Sequence, residues 1–261
     1  MSPLPAAAMA AAGCLVLSVP ASEATGARGK RWRPRPGTTW QWQLSGEVKT
    51  NRRAAVYDID LFDTEARVVA RLHDKGREVV CYLSAGSWEN WRPDADRFPR
   101  RVKGKPNGWP GERWLDIRRL RVLKPIMRAR LDLCTRKGFD GVEFDNVDGF
   151  ANRTGFPLTA RDQLSYYRWL ARAAHVRGLS AGLKNDVGQA RRLEPSFEFA
   201  INEECFTYHE CWRLKPFIRS GKAVFHVEYA IPRREFCPRA RALGFSSMRK
   251  HLSLRAWRRK C

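Results

Sequence analysis

Carboxylates set inside a strand pattern are the residues of this chain best placed to do chemistry. In Gly138-Phe-Asp-Gly-Val-Glu-Phe-Asp-Asn-Val-Asp-Gly-Phe150 a short apolar strand follows a helix-ending glycine and runs into clustered acids. Side chains of an extended segment alternate between faces, so Glu143 and Asp145 share one face while Val142 and Phe144 share the other. Acids in a buried-strand pattern are costly unless they are paired or put to use. This strand is therefore expected to form the floor of an active site.

The elements around that strand define an architecture. A helix-like stretch, a basic or small residue, a glycine and a short strand recur four times. Lys75-Gly76 precedes Glu78–Leu83, Lys137-Gly138 precedes the acidic strand, Arg177-Gly178 precedes Leu179–Leu183, and Ser220-Gly221 precedes Ala223–Tyr229. Glycine just past a helix adopts the left-handed conformation that closes it and lets the chain turn into a strand. Val68, Val69 and Leu72 after an Asp63/Thr64 cap, and Leu164, Tyr167, Ala171 and Ala174, mark amphipathic helices. Thr39–Leu44, Ala55–Asp60, Phe197–Asn202 and Leu243–Ser247 bring the strands to eight. The expected fold is α/β, a single-domain (β/α)8 TIM barrel, whose usual length of about 250 residues suits a chain of 261. No Gly-rich nucleotide loop supports an open doubly wound sheet. A barrel gathers reactive groups at the C-terminal ends of its strands. That rule selects Gln43, Asp58, Asp60, Tyr82, Ser84, Asp145, Lys184, Asn185, Glu203 and Glu228.

Residues 1–24 are rich in alanine and small apolar side chains and resemble a signal peptide cleaved after Ala24, although no basic n-region precedes them. Residues 25–37 form a basic Pro/Arg-rich linker, and the catalytic domain is expected over 38–261. No apolar run reaches transmembrane length, so the mature protein is expected to be soluble, and the signal-like segment makes the expected location extracellular. Loss of Cys14 with the signal leaves six cysteines, an even number that suits an oxidising compartment. Cys205–Cys211 and Cys237–Cys261 are the expected bridges. Cys81 and Cys134 are either buried thiols or a third bridge. No metal-ligand spacing is present.

Lysine and arginine number 49 against 27 aspartates and glutamates, a formal charge of +22. Such a surface attracts polyanions, yet no nucleic-acid-binding pattern accompanies it. Ten tryptophans point instead to carbohydrate, since indole faces pack on sugar rings. Within Ser84–Trp91, Trp88 and Trp91 are the expected platforms. Of Trp40/Trp42 and Gln41/Gln43, one pair faces outward against the helices.

Thr39–Leu44, Val56–Asp63, Cys81–Trp88, Gly138–Asp148, Gly182–Asp186 and Asn202-Glu203, six blocks in order over about residues 38–248, resemble the endo-α-1,4-polygalactosaminidase family, glycoside hydrolase family 114. The resemblance implies a secreted (β/α)8 hydrolase of galactosamine-containing polysaccharide that needs neither metal nor organic cofactor. It places the family's strand-four acid on Asp145 and the strand-six glutamate on Glu203, and the two-carboxylate chemistry of glycoside hydrolysis assigns Asp145 as the expected nucleophile and Glu203 as the expected general acid/base. A general acid needs a raised pKa, which a partly buried site beside a second carboxylate supplies. Alternation sends Glu204 to the opposite side, and Glu143 lies a layer below Asp145 as an orienting acid. The substrate-binding set comprises Gln43, Asp58, Asp60, Tyr82, Ser84, Trp88, Asn146, Asp148, Lys184, Asn185 and Glu228, with Asp148 either on substrate or capping its loop. The protein is expected to be a monomer with no specific nucleic-acid partner. A cationic protein repels a cationic polymer, so either the acidic cleft recruits it locally or the glycan is acetylated, mixed or anionic. The competing functions are a non-catalytic carbohydrate-binding barrel and a basic polyanion-binding surface protein.

Overall fold

The computed structural model describes Met1 and residues 31–261. Apart from Met1, the signal segment with Cys14, and residues 25–30 of the basic segment, lie outside the described residues. Eight strands carry the fold: β1 Trp40–Gln43, β2 Val56–Asp60, β3 Glu78–Ser84, β4 Gly141–Asp145, β5 Ser180–Lys184, β6 Phe199–Glu203, β7 Val224–Glu228 and β8 Ser246–Arg249. Each pairs in parallel with the next in chain order. The result is a curled parallel sheet whose strands all end on one side, where the site must lie.

The curl lacks one element of the expected barrel. Among the described residues no backbone ladder joins β8 to β1. The C-terminal tail occupies that seam instead. Leu44 N donates to Leu254 O at 3.0 Å, Gln41 Nε2 to Ala256 O at 3.1 Å, and the Arg258 guanidinium to Trp40 O. Trp40 Nε1 reaches Ser246 O on β8 directly, at 2.7 Å. Arg259–Lys260 then pairs antiparallel with β8, and the Cys237–Cys261 disulfide anchors the chain end.

Six helices follow in order, α1 Ala66–His73, α2 Leu120–Lys137, α3 Ala160–His175, α4 Ala190–Leu193, α5 Lys215–Arg219 and α6 Arg233–Ala242. The β1–β2 connection has no helix, so the expected eight-fold alternation is incomplete. The four glycines expected to close helices all have positive φ, and Gly244 does the same after α6, so β8 begins at Ser246 rather than Leu243. The N-cap of helix α1 is Glu65, which makes no side-chain cap hydrogen bond; Asp63 and Thr64 do not cap it. Thr159 and Asp162 form a reciprocal capping box on α3.

Strand alternation divides the core into two layers. Trp40, Trp42, Val80, Phe199, Ile201, Phe225 and Val227 fill the inside of the curl, so Gln41 and Gln43 are the outward pair. Tyr57, Cys81, Val142, Phe144 and Leu183 pack outward against the helices. Gly182 gives Phe199 its place, because a Cβ there would stand 2.4 Å from the ring. Residues 31–37, expected as a linker, lie against the sheet: Ala223 N donates to Pro34 O at 2.9 Å, and Trp32 packs 5.7 Å from Phe199. All three cysteine pairs are bridged. Cys205–Cys211 and Cys237–Cys261 match expectation, and Cys81–Cys134 ties β3 to α2. Among the described residues no helix is long and apolar enough to cross a membrane.

Candidate active site

Three adjacent strands, β4, β5 and β6, converge on one ammonium group. Lys184, last residue of β5 and 2 % exposed, places Nζ 2.8 Å from Asp145 Oδ1, 3.1 Å from Glu143 Oε1 and 3.1 Å from Glu203 Oε2. The nearer oxygens of Asp145 and Glu203 are thus no more than about 5.9 Å apart, so both carboxylates can reach one glycosidic bond. Lys184 also sits 4.9 Å from the Trp42 ring, and Trp42 Nε1 donates to Glu143 Oε2 at 3.1 Å. An indole floor and an orienting glutamate therefore fix the lysine that joins the two acids.

Each acid has a second set of donors. Tyr82 OH donates to Asp145 Oδ2 at 2.8 Å, and Asn146 Nδ2 to the same oxygen at 3.2 Å. On Glu203, Asn185 Nδ2 donates to Oε2 at 3.2 Å and Tyr229 OH donates to Oε1. Asn185 Oδ1 also accepts the Glu203 N–H at 3.0 Å, which fixes that amide's orientation. Asn146 and Asn185 both have left-handed φ, 61° and 50°, a conformation asparagine adopts more readily than most larger side chains. Gly86 lets the β3 and β4 loops meet beside them, since a Cβ would fall 1.7 Å from Asn146 O.

Burial alone would push Asp145 up, but the Lys184 charge and hydrogen bonds from Lys184 and Tyr82 hold it below the usual carboxylate range. It is an ionised carboxylate poised to meet a cationic centre. Burial also opposes charge on Lys184, and the surrounding acids overcome it, keeping the ammonium protonated. Burial and the Asp145 charge raise Tyr82, while burial and the Glu203 charge raise Tyr229, so both phenols remain donors. Burial, with repulsion from Asp145, pushes Asp148 up to about 6.

These groups open into a cleft of about 460 Å³ lined by Trp42, Tyr82, Trp91, Arg92, Trp109 and Trp114 among others, within the size range of small-molecule sites. A second lobe of about 510 Å³ shares Asp148, Asn185 and Glu203 with it. The acid pair thus lies along a two-lobed groove rather than at the bottom of a blind pocket. Trp91, Trp109 and Trp114 come from an insertion after β3, in which Ser87–Glu89, Lys103–Pro106 and Glu112–Leu115 form a small antiparallel sheet. Arg92 from that insertion holds Asp60 through two hydrogen bonds of 2.9 and 2.6 Å, and Glu89 at 2.8 Å.

Of the residues selected from sequence, Asp145, Glu203, Tyr82, Asn146, Asp148, Lys184, Asn185 and Asp60 line the groove. Ser84 lies just behind, its Oγ accepting from Asn146 Nδ2 at 3.1 Å. Asp58 is buried beneath the floor, pushed well above the usual carboxylate range by desolvation and Glu143. Three others fall outside. Gln43 faces away and ties the β1–β2 loop through Glu47 O and Lys49 N. Trp88 is pinned by Ala95 O at 3.0 Å and covered by Lys103 Nζ at 3.8 Å. Glu228 points into the helix layer, where it accepts from Phe206 N and Thr207 Oγ1 and pairs with His226. Tyr229, one residue further, reaches the site instead. The inward alternation of Phe225 and Val227 carries the signal that would have found it.

Paired carboxylates at the C-terminal edge of a curled parallel sheet, beside a tryptophan-walled groove, define a carbohydrate-hydrolase type of site. The chain belongs to glycoside-hydrolase family GH114, whose family model matches residues 21–261, and it is a glycoside hydrolase. The crystal structure of Aspergillus fumigatus Ega3 in complex with galactosamine is similar at 40 % identity and a TM-score of 0.84, covering 88 % of this chain and 97 % of that one. The glycoside hydrolase domain of PelA from Pseudomonas aeruginosa shares the fold, with a TM-score of 0.64 at 14 % identity over 85 % of this chain and 96 % of that one. An uncharacterized protein of Deinococcus radiodurans is 26 % identical over 247 residues, 78 % of this chain and 77 % of its own length.

Proposed function

We propose that the protein is a secreted endo-acting hydrolase of galactosamine-containing polysaccharide, working through Asp145 and Glu203 with retention of configuration. The observation that carries this reading is the single Lys184 ammonium bridging the two carboxylates, which keeps their nearer oxygens within about 5.9 Å. Retaining pairs stand at about 5 to 5.5 Å. The galactosamine found with a 40 % identical relative supports the choice of sugar, and a groove open on both sides of the pair suits an internal bond of a polymer. On this reading the tail that spans the β8–β1 seam completes a functional barrel, residues 1–24 are the export signal, the disulfides serve outside the cell, and the monomer suffices.

In the first step, taken by the form in which Glu203 carries a proton, Asp145, ionised and aimed by Tyr82, attacks the anomeric carbon while Glu203 delivers that proton to the leaving oxygen. A covalent glycosyl–Asp145 ester forms and the glycosidic C–O bond breaks. The ester no longer carries charge, so Lys184 is left facing Glu203 and Glu143. Glu203, deprotonated in the first step, then takes a proton from the attacking water, which breaks the ester, releases the sugar and restores both acids.

The test is release of reducing ends from α-1,4-linked galactosamine polymers of graded acetylation. Asp145→Asn and Glu203→Gln, confirmed as folded, are expected to lose activity by at least about a thousandfold, and proton NMR should show the α-anomer first. Activity that survives either substitution, or a β-anomer as first product, overturns the assignment.

A further inference from the structure

We propose that a basic groove outside the active site binds an anionic polysaccharide, a chain with carboxylates on its sugar rings, and docks the enzyme on it. The binding needs no catalysis. Only its benefit rests on the polysaccharide reading above, since a polymer of free amino sugars is a polycation and associates with the polyanions around it.

The groove, of about 740 Å³, is lined by Arg191, Arg213, Lys215, Arg219, Glu194 and Trp212 among others. Val187 and Gly188 line both this groove and the second lobe of the active site, so the two share a rim. Arg191 and Arg192, neighbours on α4, divide between them. The one carboxylate of the basic groove is already committed, because Glu194 Oε1 lies 2.6 Å from Nζ of the buried Lys222. The four cations are exposed, and among the described residues none of them pairs with a carboxylate. Lys215 and Arg219 stand one turn apart at the two ends of α5, and like charges at that spacing repel and destabilise a helix. A polyanion laid across them turns that repulsion into attraction, and guanidinium forks suit carboxylate oxygens.

Trp212 narrows the class of polyanion. It is 59 % exposed in the wall of the groove. Its turn, Cys211–Leu214, is anchored at both ends, by the bridge from Cys211 to Cys205 and by the fully buried Leu214. The Arg213 guanidinium lies 4.7 Å from the indole centre, so an apolar platform and a cation meet at one point. A uronic acid matches both, with the face of its ring on the indole and its carboxylate on the guanidinium. Single-stranded nucleic acid takes a succession of aromatic platforms along the strand, and this groove offers one. The general charge of +22 attracts any polyanion; the groove gives a carboxylated glycan a place to lie, next to the lobe that takes the substrate.

Fluorescence anisotropy of a labelled galacturonate decamer, titrated with the purified protein at about 20 mM and 150 mM salt, tests the proposal. Arg191→Gln, Arg213→Gln and Arg219→Gln combined should weaken binding at least tenfold and make its salt dependence shallower, and Trp212→Ala alone should weaken it at least threefold. The matched control combines Arg121→Gln, Arg128→Gln and Arg136→Gln, three exposed residues of α2; it removes the same charge and should change binding less than threefold. All the substituted side chains are exposed, and circular dichroism verifies folding. Equal losses in the two triple variants mean that net charge alone acts, and overturn the proposal. Binding unaltered by Trp212→Ala overturns it as well, as does competition by the fully methyl-esterified decamer. A thymidylate decamer that binds as tightly as the uronate, through the same groove residues, assigns the groove to nucleic acid and refutes the polysaccharide. None of these outcomes bears on hydrolysis of galactosamine polymer, which is measured separately.

Discussion

Replacing Lys184 by methionine keeps the length and packing of the side chain and removes only the charge. Three carboxylate oxygens lie 2.8 to 3.1 Å from its Nζ, each worth roughly 5 kcal/mol of attraction at an effective dielectric near 20, offset by the cost of burying the ammonium. Removing one partner of a buried pair typically costs ~3–5 kcal/mol. Without the cation, burial dominates at Asp145, whose pKa rises, and the cluster binds an extra proton near neutrality. Asp145, the proposed nucleophile, is then partly protonated where the wild type is ionised. At the lower bound of ~3 kcal/mol, kcat/KM at pH 5 falls by about two decades, and the acid limb of its pH profile moves upward. Lys184→Arg, which retains the charge in a bulkier form, should keep that limb nearer its wild-type position even where kcat drops. Initial rates on polygalactosamine between pH 3.5 and 8, with circular dichroism to verify folding, measure both effects. A folded methionine variant with an unmoved acid limb and near-normal rate would refute the electrostatic role.

Exposed Trp91 and Trp109 line the first lobe, so Trp91→Ala and Trp109→Ala should each raise KM on long oligomers about 3- to 10-fold, from the ~0.5–1.5 kcal/mol of aromatic contact, with little change in kcat; a kcat-dominated loss would place them in the chemistry instead. The Cys81–Cys134 bridge closes a loop of 53 residues, for which chain entropy gives about 4 kcal/mol. Replacing both by alanine should lower the urea midpoint accordingly, and an unchanged midpoint would show that the bridge adds nothing. Burial and Asp145 push Asp148 up to about 6, above the roughly 3.9 of an unfolded chain, so its ionisation destabilises the fold progressively as pH rises between those values. Asp148→Asn should therefore be more stable than wild type by roughly 2–3 kcal/mol above pH 6 and equal to it near pH 3.5; a pH-independent difference would contradict that assignment.

Local chemistry made much of this molecule legible in the sequence. Helix-closing glycines and alternating strands reveal their own geometry, so the strand set and the acids at the strand ends follow from residues 138–150 and their repeats. What depended on the path of a loop did not follow. The insertion after β3 places Trp91 and Trp109 on the groove and turns Trp88 away, and neither its hairpin pairing nor its fold-back is written in a period. Strand-end polarity alone also does not say which face a residue takes. Glu228 and Gln43 satisfy their hydrogen bonds outward, whereas Tyr229 and Trp42, beside them in sequence, turn inward to Glu203 and Glu143. Lys184 could be selected by position, but its contact with three acids at once required the register of β4, β5 and β6.

The charge of +22 and the proposed amino-sugar substrate are compatible because they act over different distances. At physiological ionic strength the Debye length is about 8 Å, so basic side chains on outer helices are largely screened from a sugar already in the groove. Inside it the balance reverses. Asp148, Asp186, Glu203 and Glu210 line the second lobe against Arg192 alone. The polymer therefore meets a repulsive surface at long range and an attractive lobe on contact. Repulsion of this kind slows encounter most at low salt. The apparent kcat/KM on deacetylated polymer should thus rise on going from about 10 mM to 150 mM salt, before screening of the lobe itself weakens binding at higher salt. A monotonic fall from the lowest salt would mean that attraction already governs at long range, and that the basic surface lies too far from the groove mouth to be felt.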